Sequence, residues 1–142
     1  MTLTATNPVL DAVMALVATD TTLAQDAYVS GRVYGTPPED VLMPYVWLDV
    51  TSEDDYLRGF GTGGLATVTL RARIVSRYDG VSQAHAVNQR LVQILKDAAL
   101  TVSGYNQCGR IVYRETVAVT DELDGDRVSV VASEFTIWVE QQ

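Results

Sequence analysis

Residues Ala66–Ser76 read ATVTLRARIVS. Ala66, Val68, Leu70, Ala72 and Ile74 alternate there with Thr67, Thr69, Arg71 and Arg73, the period of two that a strand shows when one of its faces is buried. Upstream, Tyr45–Thr51 (YVWLDVT) is rich in aromatic and β-branched residues and is led in by Pro44, so it reads as a second strand. Downstream the period becomes helical over Ser82–Ala98, burying Ala84, Val87, Leu91, Ile94 and Leu95 and turning Asn88, Gln89, Gln93 and Lys96 outward. Two more strands, Arg110–Val119 and Arg127–Glu140, flank TDELDGD, whose Asp124-Gly125 step tolerates the positive φ of a tight hairpin turn.

Ahead of these elements, Asn7-Pro8 reads as a helix start, Asn as cap and Pro in the first turn. Val9, Leu10, Val13, Leu16 and Val17 then form one apolar stripe. A short helical piece is expected over Thr22–Tyr28 and an extended one over Gly31–Tyr34, before a loop at GTPPED where adjacent prolines continue neither ladder. The sum is an α+β fold: a mainly antiparallel sheet of about four strands with helices packed on one face.

The composition sets limits on this reading. The chain has 142 residues, 47% of them hydrophobic and 20% charged, which suits a single domain over 1–142 with its own core and excludes whole-chain disorder. One cysteine, Cys108, forms no internal disulfide. The N-terminus lacks the basic region of a secretory signal and no apolar run reaches membrane-spanning length, so no membrane association is expected and synthesis is placed in a cytoplasm. The net charge of −8, with a single Lys, argues against a surface that grips nucleic acid. An acidic channel can nonetheless let DNA pass without sticking.

The two sheet faces differ in character. With Val46, Leu48, Leu70, Ile74, Val117, Phe135 and Ile137 in the core, the alternating positions include Tyr45, Trp47, Arg71, Arg73, Arg114, Glu134 and Trp138. Aromatic residues and arginine are enriched at protein interfaces, so Trp47, Arg71, Arg73, Arg114, Glu134 and Trp138 are candidates for a subunit interface. The alternative is a solvated face with cross-strand Arg–Glu pairs.

A second candidate surface is the connection from Ser52 to Leu65. It spans 14 residues, against about 2–5 for ordinary hairpin loops. The expectation is a long flexible loop over 52–65 that contacts a partner through Glu53, Asp54, Asp55, Tyr56, Leu57, Arg58 and Phe60, since a bare tip has no use for exposed aromatic and apolar residues.

Catalytic patterns are weak. GFGTGG at Gly59–Gly64 matches a dinucleotide fingerprint in letters, but a threonine-rich strand follows it where a helix is required. A small hydrolase would have to use His85, the only histidine, with Ser82 and Asp79; helix capping by Asp79 or Ser82 is the simpler reading. Asp121, Glu122, Asp124 and Asp126 lack the ligand spacing of a calcium loop. Cys108 has no activating neighbour in sequence. The expectation is a non-enzymatic assembly protein with no cofactor, no metal and no catalytic residue.

The order of these features resembles the tail-completion, or tail-terminator, proteins of long-tailed bacteriophages and related gene-transfer particles. The resemblance covers nearly the whole chain. It is carried by Arg32-Val33-Tyr34 followed by Pro37 or Pro38, by Pro44-Tyr45-Val46, and by Ser76-Arg77-Tyr78-Asp79-Gly80 leading into Ala84 and His85. It implies a virion subunit assembled in the host cytoplasm into a homohexameric ring at the head-proximal end of the tail. Such a ring ends tail-tube polymerisation and offers the joining surface for the head. Its partners are then further copies of itself, the tail-tube protein and a neck or head-closure protein, with DNA passing through unbound. A head-closure or adaptor protein of the neck is the neighbouring alternative.

Overall fold

The computed structural model describes residues 5–25, 28–57, 65–123 and 126–142. Helix α1 (Thr6–Ala18) is followed by the short strand β1 (Val33–Tyr34), then β2 (Tyr45–Leu57) and β3 (Leu65–Arg77). A 3-10 turn at Tyr78–Gly80 opens into α2 (Val81–Leu95), and β4 (Tyr105–Gln107), β5 (Val112–Leu123) and β6 (Asp126–Gln141) complete the chain. The strands form one mixed sheet in the order β1-β2-β3-β6-β4, with β5 also paired to β6. β1 runs parallel to β2, and every other pairing is antiparallel. The described sheet thus has six strands where about four were expected. β1 and β4, at two and three residues, are too short for alternation to register.

The core confirms the period read from Ala66–Ser76. Ala66, Val68, Leu70, Ala72 and Ile74 are all buried, together with Val46 and Leu48 of β2 and Val131, Phe135, Ile137 and Val139 of β6. Val9, Val13 and Val17 of α1 and Ala84, Val87, Leu91 and Leu95 of α2 join the same apolar cluster. Each of these side chains gains about 1.5–3 kcal/mol by leaving water, Ala less, so the sheet and the two helices are held by one shared core.

Several local expectations are corrected. Asn7 does not cap α1; the N-cap position is Ala5, with no side-chain cap of its own. Pro8 is accommodated in the first turn, where its missing N–H has no helical partner to lose. Thr22–Tyr28 does not form a helix among its described residues but a series of turns, with Gln25 N–H on the Thr22 carbonyl and Tyr28 N–H on the Gln25 carbonyl. Neither Asp79 nor Ser82 caps α2, which starts from Gly80. Asn88 is buried, not solvent-facing, and Ile94 is only partly buried. Val117 is 48% exposed and outside the core.

The connection after Thr51 also differs. Ser52–Leu57 continue β2 and pair with Leu65–Thr69 of β3, so the hairpin arms extend through the acidic run that reads as loop. Arg58 and Phe60 lie outside the described residues, as does the GFGTGG string. Asp124-Gly125 lies outside them too; Leu123 pairs with Asp126 on either side of it.

Candidate partner-binding surface

The sheet face turned away from the core carries all six interface candidates. On β3 the alternation places Arg71 and Arg73 opposite to the buried Leu70, Ala72 and Ile74. Register then decides their neighbours. Trp47 of β2 stands directly across from Arg73, and Glu134 of β6 directly across from Arg71. The Arg73 guanidinium lies 4.2 Å from the centre of the Trp47 ring and donates to Asp49 Oδ2 at 3.1 Å. Trp47 is fixed in turn by its indole N–H on the Gly35 carbonyl at 3.1 Å.

Arg71 donates to Glu134 Oε1 at 3.3 Å. Arg114 donates to Thr136 Oγ1 at 2.9 Å and lies 6.0 Å from the Trp138 ring centre. Cross-strand Arg–carboxylate pairs of this kind contribute little on an open surface. They do hold aromatic planes and guanidinium groups in fixed places on this face.

Beside these residues the face forms a groove of about 510 Å³. One wall is Trp47, Arg73 and Arg71, and the other is Val117 and Val119 of β5, 48% and 51% exposed. Val75, Val128, Val130 and Ala132 lie between them. Charged rims around an apolar floor are the anatomy of a protein contact more than of a small-molecule pocket.

The second candidate surface is divided by the structure. Glu53 faces the core side, where its carboxylate accepts the Ala5 N–H at 3.0 Å and the Thr6 hydroxyl at 2.6 Å. Asp54 is exposed. Asp55, Tyr56 and Leu57 extend β2, Asp55 pairing with Ala66 and Leu57 with Leu65 of β3 across a register shift. Sequence reasoning missed the anchoring role of Glu53; its only signal is an acidic residue within reach of a helix start that lacks a local cap.

The residues considered for chemistry do not converge. Ser82 and His85 are exposed on α2, and no hydrogen bond joins them to each other or to Asp79 among the described residues. The Cys108 thiol is pushed up from its ordinary value, first by burial and then by the Glu140 carboxylate, the reverse of an activated nucleophile. Among the described residues no group of three or more His, Cys, Asp or Glu is placed to hold a metal ion. No helix among them is long and apolar enough to cross a membrane.

A family model described as tail completion protein gp17 matches residues 11–140. The chain belongs to that tail completion family. It is accordingly a structural protein of the phage tail and not an enzyme. The fold agrees with a solved chain from the structure described as "Virion of native gene transfer agent (GTA) particle". The two share 23% identity at a TM-score of 0.73, over 93% of this chain and 94% of the other. No curated protein matches the sequence. In this tail completion protein the ordered arginine-aromatic face is a candidate contact surface, and among the described residues no catalytic set converges.

Proposed function

We propose that six copies of this chain close into a ring on the head-proximal end of the tail tube, ending tube polymerisation and offering the surface to which the head joins. The observation that carries the reading is the single face bearing Trp47, Arg71, Arg73, Arg114, Glu134 and Trp138 on a member of the tail completion family. A head-to-tail contact made by one such face closes into a ring when its rotation closes. In this reading that face forms part of the contact between neighbouring copies. The β2 stretch Asp54, Asp55, Tyr56 and Leu57, together with Arg58 and Phe60 that follow it in sequence, meets the tail-tube protein or the neck, with Glu53 held against α1. The net charge of −8 supports an opening through which DNA slides without being bound.

The test has two parts. Light scattering over a concentration series, with negative-stain images of the same fractions, is expected to give rings of six-fold mass, in solution or on added tail tubes. Particles made without the protein are expected to carry overlong tails, because nothing ends the tube. Tails of normal length that fail to join heads would instead make it a head-closure protein of the neck.

A further inference from the structure

β5 changes face part-way along its length, and a cluster of hydroxyls sits at the change. Tyr113 stands opposite Phe135 and Glu115 opposite Glu134, so Arg114 is the extra residue of the bulge. In a straight strand residues three apart lie on opposite faces. Here the bulge brings Tyr113 and Thr116 to one face, where the Tyr113 hydroxyl meets Thr116 Oγ1. Thr116 stands directly opposite Ser133, with 2.9 Å between their hydroxyl oxygens. The Asn88 amide of α2 donates to Thr116 Oγ1 at 3.3 Å, and the Ser133 hydroxyl donates to Asn88 Oδ1. Assigning the Thr116 hydrogen to Ser133 Oγ closes a ring of three side chains in which each hydroxyl both donates and accepts.

The rest of β5 does not favour the bulge. A straight alignment would set Arg114 opposite Glu134 in place of Glu115, exchanging a like-charge pair for an opposite one. Val117 would stand opposite the buried Val131 on the core face, where it now stands 48% exposed opposite Ala132. Among the described strands β5 pairs with β6 alone, so no second ladder holds the shift in place. Asp124-Gly125 lies outside the described residues; as sequence, Asp-Gly suits a two-residue turn and Leu-Asp-Gly a three-residue turn ending in glycine, so the tip does not choose between the alignments. What the straight alignment loses is the hydroxyl ring. Thr116 would turn to the outer face and Glu115 would take its place opposite Ser133.

We propose that Thr116 sets the register of β5 and so decides which residues wall the groove on the other face. Its hydroxyl, held between Asn88 and Ser133, offsets the bulge, and the bulge turns Val117 and Val119 onto the groove. Thr116 itself lies on the opposite face of the strand, toward α2. It is a positioning residue for the groove, acting through the backbone of β5. Fixing one register against another is the best-attested use of a polar group at a packed interface. The proposal concerns a single folded chain and does not depend on ring formation.

The test moves the hydroxyl by one residue. In the double variant Glu115→Thr, Thr116→Val, only the straight alignment places a hydroxyl opposite Ser133. Cross-strand proton contacts measured by NMR on the full chain are expected to move with it, those of Val117 from Ala132 to Val131 and those of Val119 from Val130 to Ser129. The straight alignment is expected to outnumber the bulged one by at least about tenfold, with the contacts between β3 and β6 unchanged. Glu115→Ala, at an exposed position, separates the hydroxyl from the carboxylate and is expected to keep the bulge and every wild-type pair. A chain straightened by that change alone would mean that the exclusion of Glu115 from the core side sets the register, and overturns the proposal. Wild-type pairs in the double variant overturn it as well, because the hydroxyl would then follow the strand and not fix it. A double variant that fails to fold where Glu115→Ala folds counts equally against it, since the moved hydroxyl is expected to restore the ring with Asn88 and Ser133.

Discussion

Glu53 accepts the backbone N–H of Ala5 at 3.0 Å across 48 residues of sequence, tying the middle of β2 to the start of α1. Its second oxygen accepts the Thr6 hydroxyl at 2.6 Å, and its charge lies at the end of the helix where free N–H groups favour an anion. Glu53→Ala is expected to destabilise the chain by about 1–2 kcal/mol, and Glu53→Gln by less, because the amide oxygen still accepts. Asn7→Ala, at an exposed residue without a cap bond, is expected to change stability by under about 0.5 kcal/mol. Urea unfolding of the three variants checks the order; an Asn7 variant costing more than Glu53→Ala would return the cap to Asn7.

Two β-bulges explain where the sequence could and could not be read. Strict alternation in β2 runs correctly from Val46 through Leu48 to Val50, but a register shift lies between Val50 and Ser52. Glu53 consequently pairs with the buried Val68 and turns toward α1. In β5, Tyr113 packs on the core and the same alternation would carry Val117 inward. The shift between Tyr113 and Glu115 reverses it, so Thr116 faces the core side and Val117 the groove. A bulge inserts one residue into one strand, and neither VTS nor YRE announces it by glycine or proline. β3 and β6 pair without a shift from Leu65 to Arg77. That continuity is why Arg71, Arg73, Glu134 and Trp138 were legible as one face, while the roles of Glu53 and Val117 were not.

Asp20 and Arg90 supply a pH-dependent clamp between α2 and the turn after α1. Arg90 donates twice, Nη2 to Oδ1 at 2.5 Å and Nε to Oδ2 at 3.2 Å, and the Leu23 N–H adds a third bond at 2.9 Å. The Arg90 hydrogen bond, opposed by burial, holds the Asp20 carboxyl below its ordinary value of 3.8. A folded value below the unfolded one stabilises fully above the unfolded value and is lost as pH falls through the folded one. Arg90→Gln is therefore expected to lower stability at pH 6 and to lose less than the wild type between pH 4 and pH 2. Equal acid sensitivity in the two chains would remove the clamp from the account.

Asn88 and Ser133 form the polar centre of an otherwise apolar interface between α2 and the sheet. The Ser133 hydroxyl donates to Asn88 Oδ1 and lies 2.9 Å from Thr116 Oγ1, which also meets the Tyr113 hydroxyl. Ser133 is fully buried, so Asn88→Ala strands its partners and is expected to cost about 1–3 kcal/mol. Ser133→Ala is expected to cost a similar amount. Because each single change already breaks the bond between them, the double variant should cost less than the sum by at least about 0.5 kcal/mol. Strict additivity in denaturant unfolding would mean that the two act independently.

Arg73 and Trp47 separate the stability of the subunit from its assembly. Their stack is 4.2 Å deep on a partly exposed face, so its loss from a single folded chain is expected to cost about 0.5–1 kcal/mol. Arg73→Glu goes further, setting a second carboxylate beside Asp49 while leaving the buried Ala72 and Ile74 untouched. If neighbouring copies meet on this face, each contact in the ring meets the reversed charge, and a closed ring repeats that penalty at every interface. Arg73→Glu and Trp47→Ala are thus expected to keep the far-ultraviolet circular dichroism of the wild type, lose at most a few degrees in Tm, and fail to assemble by light scattering. Lys96→Glu, on the exposed end of α2, provides the control and should assemble normally. Rings formed by Arg73→Glu at wild-type concentrations would move the subunit contact off this face.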